Sequence, residues 1–311
     1  MNAYFKGAAC GVVASVSYGL NPLFALPLYS AGIGPDSVLF YRYVLAILML
    51  GALTLARGRR LAISRAEVLP LMVLGVLFSL SSLTLYLSFL YMDAGIACTI
   101  LFVYPLLVSL IMTLFFHEKA TLFTYGCIAM ALCGIALLYR GEGGVTLNGA
   151  GFALVMVSSL SYALYMVAVR QWRRVSGIEV DRLTFWALAF GSMIYVARLD
   201  MLRALQPLAT PLQWADAALM ALLPTVVSLF CIGVAIHHIG STFTAIIGAL
   251  EPVTALAVGV CVFGERISAR IVLGMLLVLT SVTLIVVGRP MLSRLMRSVA
   301  SVWPGRRGGR G

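Results

Sequence analysis

The stretch from Ser241 to Arg266 is an apolar run broken once by the pair Glu251-Pro252 and closed by Gly264-Glu265-Arg266. Moved back by 147 positions the same design returns, with Pro252 falling on Pro105, Phe263 on Phe116, Glu265 on Glu118 and Arg266 on Lys119. An apolar helix that holds a proline inside and an acid–base pair at its end thus occurs twice, which implies two related halves. A second recurrence agrees: Gly7, Ser15, Ser17, Tyr18 and Leu20 return 144 positions later as Gly151, Ser159, Ser161, Tyr162 and Leu164. The first apolar run is therefore read as a retained helix and not as a cleaved signal.

Hydrophobic residues make up 62% of the chain and charged residues 11%, where a soluble domain carries roughly 25% charged. The expected class is an all-α integral membrane protein. Apolar runs bounded by charge or turn residues fall at 4–26, 35–56, 68–91, 95–116, 121–139, 148–170, 183–197, 213–236, 241–263 and 270–288. That pattern predicts ten transmembrane helices in two five-helix repeats, 1–140 and 141–288, followed by a basic tail, 289–311. The seventh run is short, since Arg198, Asp200 and Arg203 follow it directly. The six cysteines, Cys10, Cys98, Cys127, Cys133, Cys231 and Cys261, lie in apolar runs with no CxxC, and are expected to be buried thiols acting as small hydrophobes.

Orientation follows from the basic residues, which are held on the cytoplasmic side during insertion. With the N-terminus inside, that side holds Lys6, the Arg57–Arg65 cluster, Lys119, the Arg170–Arg182 cluster and the six arginines from Arg289 to Arg310. The opposite side holds only Arg140, Arg198, Arg203, Arg266 and Arg270, and Arg42 falls within the second helix. Both termini are expected in the cytoplasm. An odd number of helices per half then turns the second repeat upside down, the arrangement of carriers with a site at the midplane. The net charge of +11 is on this reading a topology signal and not a nucleic-acid footprint. The Gly- and Arg-rich tail has anionic lipid headgroups as its expected neighbour.

Phe263-Gly264-Glu265-Arg266-Ile267-Ser268, followed by Gly274 and a long apolar helix, resembles the EamA-type repeat of the drug/metabolite transporter superfamily. In that pattern small residues stand nine and sixteen positions after the Glu. Here they are Gly274 and Ser281 in the second half and Cys127 and Gly134 in the first, all able to support close helix approach. The first half departs from the pattern at His117, where a glycine is expected. The resemblance spans both repeats and implies transport of small metabolites across the cell inner membrane by alternating access, through a cavity lined by helices one to four and six to nine. The chain is most similar to the amino-acid exporter branch, aromatic amino-acid exporters included.

Glu251 stands ten residues after Ser241, ~15 Å along a helix rising 1.5 Å per residue, near the middle of a core ~30 Å thick. A charge there costs at least ~3 kcal/mol on the insertion scale. Two readings are open: an acid that handles substrate or protons, or a protonated side chain bonded to a neighbouring helix. Pro252 and Pro105 each remove a backbone hydrogen bond, which frees the carbonyls of Gly248 and Leu101 and kinks both helices. Those carbonyls with Glu251 make a place for an ammonium group. Arg42, seven residues past Pro35, is either an interfacial anchor or a partner for a carboxylate. Aromatic and hydroxyl residues recur in the expected lining: Tyr18, Asn21, Tyr41, Ser82, Tyr86, Phe102, Tyr104, Ser158, Tyr162, Tyr165 and Trp186. Glu118 with Lys119 and Glu265 with Arg266 read as structural pairs or gate elements, and His237 and His238 as a helix end.

There is no HExxH, no GxSxG and no Walker A loop, so no nucleophile–base or metal constellation supports an intramembrane enzyme, and no cofactor or metal is called for. With Arg42 the one intramembrane cation, phosphate-bearing cargo fits poorly. The expected function is export of amino acids, including aromatic ones. Export of drugs or other small hydrophobic metabolites is the alternative within the class, and a membrane scaffold or lipid-modifying enzyme the alternative outside it. Ten helices suffice for a monomer. In a cysteine-free background, single cysteines placed beside Ser64 and Ser176 should react with an impermeant maleimide from the same face. Labelling from opposite faces would overturn the inverted arrangement.

Overall fold

The computed structural model describes residues 3–117, 122–139, 148–175, 177–265 and 268–284. These form helices and short joins, and no strand occurs among the described residues. Hydrocarbon offers no partner to a bare N–H or C=O, so a segment that crosses it closes its hydrogen bonds within itself. Six stretches are long and apolar enough to do so: Ala3–Ser30, Pro35–Ala56, Arg65–Ser88, Ala94–Phe116, Gly149–Gln171 and Pro211–Gly240. Leu122–Leu138, Leu250–Phe263 and Ala269–Leu284 are shorter apolar helices. The expected seventh run is the helix Val180–Arg198, longer than read from the sequence because Asp181, Arg182 and Arg198 are taken into its ends.

In chain order the helices are α1 (Ala3–Gly19), α2 (Asn21–Ser30), α3 (Pro35–Ala56), α4 (Arg65–Ser88), α5 (Ala94–Leu101), α6 (Tyr104–Phe116), α7 (Leu122–Tyr139), α8 (Gly149–Gln171), α9 (Val180–Arg198), α10 (Pro211–Ala221), α11 (Ser228–Gly248), α12 (Leu250–Phe263) and α13 (Ala269–Leu284). A π-helical segment, Leu222–Val227, joins α10 to α11. Pro224 sits inside it, where the widened turn accommodates a residue without an N–H. Starts are written locally. Ser64 and Glu67 form a reciprocal capping box on α4 and Thr210 and Gln213 another on α10, while the Asn148 side chain accepts from Ala150 N–H on α8.

Three runs expected as single helices are broken. The first breaks at Leu20, the fourth at Phe102–Val103 and the ninth at Ala249. Each break lies just before a proline, Pro22, Pro105 or Pro252, which then occupies the first turn of the new helix. A first-turn N–H has no intrahelical partner in any case, so proline costs least there. The expected kinks are thus full helix restarts, and those at Phe102–Val103 and Ala249 are repeat-related. Conversely, α11 runs past Gly240, whose φ of 79° marks the corner between the eighth and ninth runs.

α6 and α12 end alike. His117 (φ 53°) and Gly264 (φ 69°) both adopt the left-handed conformation, and beyond α12 the Glu265 N–H donates back to the Gly259 carbonyl over 3.0 Å. The departure at His117 therefore falls where a side chain is sterically penalised. The four small residues of the repeat pattern meet one another. A Cβ on Gly134 would stand 2.7 Å from the Gly274 carbonyl oxygen, and one on Gly274 would stand 2.9 Å from that of Gly134. Ser281 Oγ donates to the Cys127 carbonyl over 2.6 Å. α7 and α13 thus cross where their backbones touch.

The cysteine expectation needs correction. Cys98 and Cys127 are buried, but Cys133 and Cys261 face outward, since a sulfhydryl is apolar enough to face lipid as well as core. The 289–311 tail, Glu118, Lys119 and Arg266 lie outside the described residues.

Replacing His117 by glycine removes about 1–2 kcal/mol of left-handed strain against roughly 0.5–1 kcal/mol of added chain entropy. Because His117 is exposed, no packing is lost. His117→Gly should raise the thermal unfolding midpoint of the detergent-solubilised protein, and a lowered midpoint would show that the imidazole makes a compensating contact.

Candidate functional site

Arg42 leaves α3 two turns past Pro35 and is only 3% exposed, so it is no interfacial anchor. Its Nε donates to Thr225 Oγ1 in the π segment at 3.1 Å and its Nη1 to the Tyr86 hydroxyl on α4 at 2.9 Å. The guanidinium carbon lies 5.5 Å from the Tyr86 ring centroid. Tyr86 passes its own proton to Asn21 Oδ1 (2.9 Å), and the Asn21 amide donates to the Tyr18 carbonyl beside the α1–α2 break (2.8 Å). Tyr29 hydroxyl donates to the Tyr86 carbonyl at 3.1 Å. No carboxylate lies within ion-pairing distance of Arg42 among the described residues.

Glu251 opens α12 at the Ala249 break and is partly buried. It lies within electrostatic range of Tyr18, Cys98, Tyr104 and Tyr162. Tyr18 is also within electrostatic range of Arg42 and Tyr86, so the acid and the guanidinium share it as a neighbour. Aromatic rings continue from there. Phe102 meets Tyr104 at 6.0 Å, Tyr104 meets Tyr162 edge-on at 4.6 Å, and Tyr162 stacks on Tyr165 at 5.9 Å. Phe78 joins Tyr165 at 5.4 Å to Tyr43 at 6.2 Å, and Tyr43 meets Tyr195 at 4.9 Å. A continuous aromatic face thus links the α5–α6 break with α6, α8, α4, α3 and α9.

Hydroxyls from the expected lining brace this face. Tyr43 donates to Ser82 Oγ (3.0 Å), Ser158 Oγ to the Ser81 carbonyl (2.7 Å) and Tyr195 to the Ser79 carbonyl (3.0 Å). Ser82 and Ser158 are therefore bonded between helices. The Leu101 carbonyl freed by Pro105 is not open either, since Ser159 Oγ donates to it at 3.1 Å. A buried carbonyl without a partner costs ~1–3 kcal/mol, which explains why a neighbouring hydroxyl claims it. At Gly248, beside the Ala249 break, a Cβ would meet only Phe102, at 4.0 Å.

Tyr41 and Trp186 stand apart from the cluster. Tyr41 hydroxyl donates to the Gln206 carbonyl (3.1 Å), and Trp186 Nε1 donates to the Leu61 carbonyl (2.7 Å). Each side chain ties down the loop that follows the other's helix. Charges repeat the device. Asp36, in the first turn of α3, holds Arg198 at the end of α9 through contacts of 2.5 and 3.1 Å. Asp181, in the first turn of α9, holds Arg59 just past α3 at 2.7 Å. α3 and α9 are thus clamped at both ends. Gln206 adds bonds to Gly34 N–H, the Gly32 carbonyl and Ser37 Oγ at the Asp36 end. Thr225, Tyr43 and Gln206 carried no sequence signal, because each acts through a helix or loop remote in the chain.

The two halves also meet at Glu265. Its Oε1 accepts from Ala94 N–H at the start of α5 (3.1 Å), and Gly259 leaves the space its carboxylate fills. Burial raises its pKa from 4.5 to about 7, with Asp93 adding to the shift and the Ala94 and Gly95 N–H groups opposing it. Burial raises Asp93 as well.

The EamA-like transporter pattern matches this sequence twice, over residues 5–140 and 149–287. The chain belongs to the EamA-like transporter family. It is 26% identical over 231 residues to a Synechocystis sp. protein described as an uncharacterized transporter, covering 72% of this chain and 68% of that one. A solved crystal structure shares the fold, with a TM-score of 0.63 at 16% identity over 94% of this chain and 98% of its own. Membership makes the protein a multi-pass membrane transporter.

A carboxylate whose folded pKa is raised favours the protonated state. Its contribution to stability is full below its unfolded value near 4.5 and is lost as pH rises through about 7. Glu265→Gln keeps the acceptor for Ala94 and removes the ionisation. The unfolding midpoint of the parent should therefore fall more steeply between pH 5 and 8 than that of Glu265→Gln. Parallel profiles would show that Glu265 does not titrate in this window.

Proposed function

We propose that this EamA-family transporter is an inner-membrane carrier that exports amino acids, aromatic ones included, by alternating access. The reading assigns it ten transmembrane helices in two inverted five-helix repeats, 1–140 and 141–288, with both termini cytoplasmic, and it works as a monomer. The observation that carries it is a buried guanidinium and a carboxylate, Arg42 and Glu251, both within electrostatic range of Tyr18 and neither ion-paired among the described residues. Opposite charges near one tyrosine suit a zwitterion, whose carboxylate turns to Arg42 and whose ammonium turns to Glu251. The tyrosines can add cation–π attraction of about 0.5–2 kcal/mol to that ammonium. The rings of Phe102, Tyr104, Tyr162 and Tyr165 give an aromatic side chain a matching wall.

Transport by this route requires the fourth and ninth runs to shift at their repeat-related breaks. Gly248 and the prolines Pro105 and Pro252 leave backbone there that no continuous helix holds rigid. The α3–α9 pair, clamped at both ends, is the element they would move against. Export of drugs or other small hydrophobic metabolites is the second reading, favoured by Phe78 and Phe102 in the same wall.

In proteoliposomes, labelled phenylalanine should show saturable flux that unlabelled amino acids inhibit. Glu251→Gln should stay folded while flux drops about tenfold or loses its pH dependence, as expected when a charge-assisted contact of ~1.5–3 kcal/mol is removed. Parent-like transport at every pH would make Glu251 a structural hydrogen-bonder. Uptake of lipophilic cations without amino-acid flux would move the assignment to the second reading.

A further inference from the structure

Well away from Glu251, a cavity of about 290 Å³ opens at the end of the bundle that carries the start of α1, the end of α3 and the start of α9. Lys6, Arg57 and Arg59 line it with His237 and His238 of α11, and Phe230 provides an apolar floor. Asp181 is the lining acid, and Arg59 already holds it at 2.7 Å. Arg57 lies 3.8 Å from the same carboxylate and covers the Phe230 ring at 4.7 Å, so its charge is only loosely spent. Lys6 is exposed and forms no ion pair among the described residues. The lining therefore keeps a surplus of positive charge beside an aromatic surface, in a hollow close to the ~300 Å³ that small-molecule sites begin at.

Two helices connect this hollow to the interior. On α3, Arg57 lies fifteen residues from Arg42, ~22 Å along the axis and within ~60° of the same face. On α11, Leu229, Gly233 and His237 follow Thr225 of the π segment, the residue bonded to Arg42, at four-residue steps, so each neighbours the next.

We propose that this hollow is a vestibule for anionic amphiphiles, holding a carboxylate or phosphate oxyanion between Lys6 and Arg57 while an apolar group packs on Phe230. Two sources supply such a group, a soluble carboxylate on its way to Arg42 or the phosphate of an anionic lipid headgroup. The proposal rests on the transport reading only in treating the hollow as the mouth of the route to Arg42, and equilibrium binding tests it without flux.

The test uses the full-length protein in nanodiscs of uncharged phosphatidylcholine, with titration of N-acetylphenylalanine as the carboxylate probe and phenethylamine as the cationic control. Lys6→Gln with Arg57→Gln should weaken N-acetylphenylalanine about tenfold or more, a loss of ~1.4 kcal/mol. Lys6→Arg should bind like the parent. Affinity should fall as NaCl rises from about 0.05 to 0.5 M, because the charges are solvent-accessible. An unchanged unfolding midpoint in the double variant separates lost binding from lost fold. If dioctanoyl phosphatidylglycerol displaces the probe while free amino acids do not, the oxyanion site stands with lipid as its source. If free amino acids displace it, the soluble carboxylate is the source. Equal affinity for phenethylamine, no binding of either anion, or full binding by the double variant overturns the proposal. Lys6- and Arg57-dependent binding in a protein without amino-acid flux would instead keep the vestibule and overturn the amino-acid carrier.

Discussion

A guanidinium buried with no carboxylate paired to it among the described residues is a costly feature of this bundle, and its neighbours are arranged around it. An arginine at the centre of a membrane helix is unfavourable by about 2.5–3.5 kcal/mol on the insertion scale. Hydrogen bonds to Thr225 and Tyr86, with the Tyr86 ring against its face, offset part of that cost without neutralising the charge. Because each partner comes from a different element, α3, α4 and the π segment must keep their relative positions for the charge to remain solvated. Tyr86 extends the constraint to Asn21, and Asn21 to the break at the end of α1.

Helix breaks serve the same economy of polar groups. A proline inside a membrane helix leaves a carbonyl that lipid cannot satisfy. Here each broken run restarts so that proline sits in the first turn, and the carbonyl released at Leu101 is taken by Ser159 from α8. The recurring Ser15 and Ser159 thus have different partners: Ser15 bonds back to Gly11 within its own helix, whereas Ser159 reaches across to the fourth run. Sequence symmetry places the hydroxyls at equivalent positions, and the neighbours decide what they do.

The clamp between α3 and α9 keeps the symmetry more faithfully. Asp36 with Arg198 and Asp181 with Arg59 are ion pairs at opposite ends of two antiparallel helices, and Tyr41 and Trp186 repeat the arrangement with hydrogen bonds. Partly exposed pairs contribute only ~0–1 kcal/mol each, so their effect is on register more than on stability. Sliding α3 along α9 would break contacts at both ends together, which leaves other interfaces to accommodate conformational change.

The membrane class, the doubled motif and the family resemblance were legible in the chain, because hydropathy, proline and charge act locally and their spacing survives in one dimension. Glu251, Arg42 and the tyrosines stood out for the same reason, as polar residues in apolar runs. Tertiary structure alone decided how they sort. It buried Arg42 instead of letting it reach the surface, and it brought Tyr18 within electrostatic range of both that charge and Glu251. It sent Tyr41 and Trp186 to opposite ends of the bundle and closed the Leu101 carbonyl with Ser159. It also brought Thr225 and Gln206 into contacts with residues 183 and 172 positions away. The physical reason is that a hydrogen bond or ion pair depends on the distance between two side chains in space, and helix packing sets that distance between residues whose separation along the chain carries no trace of it.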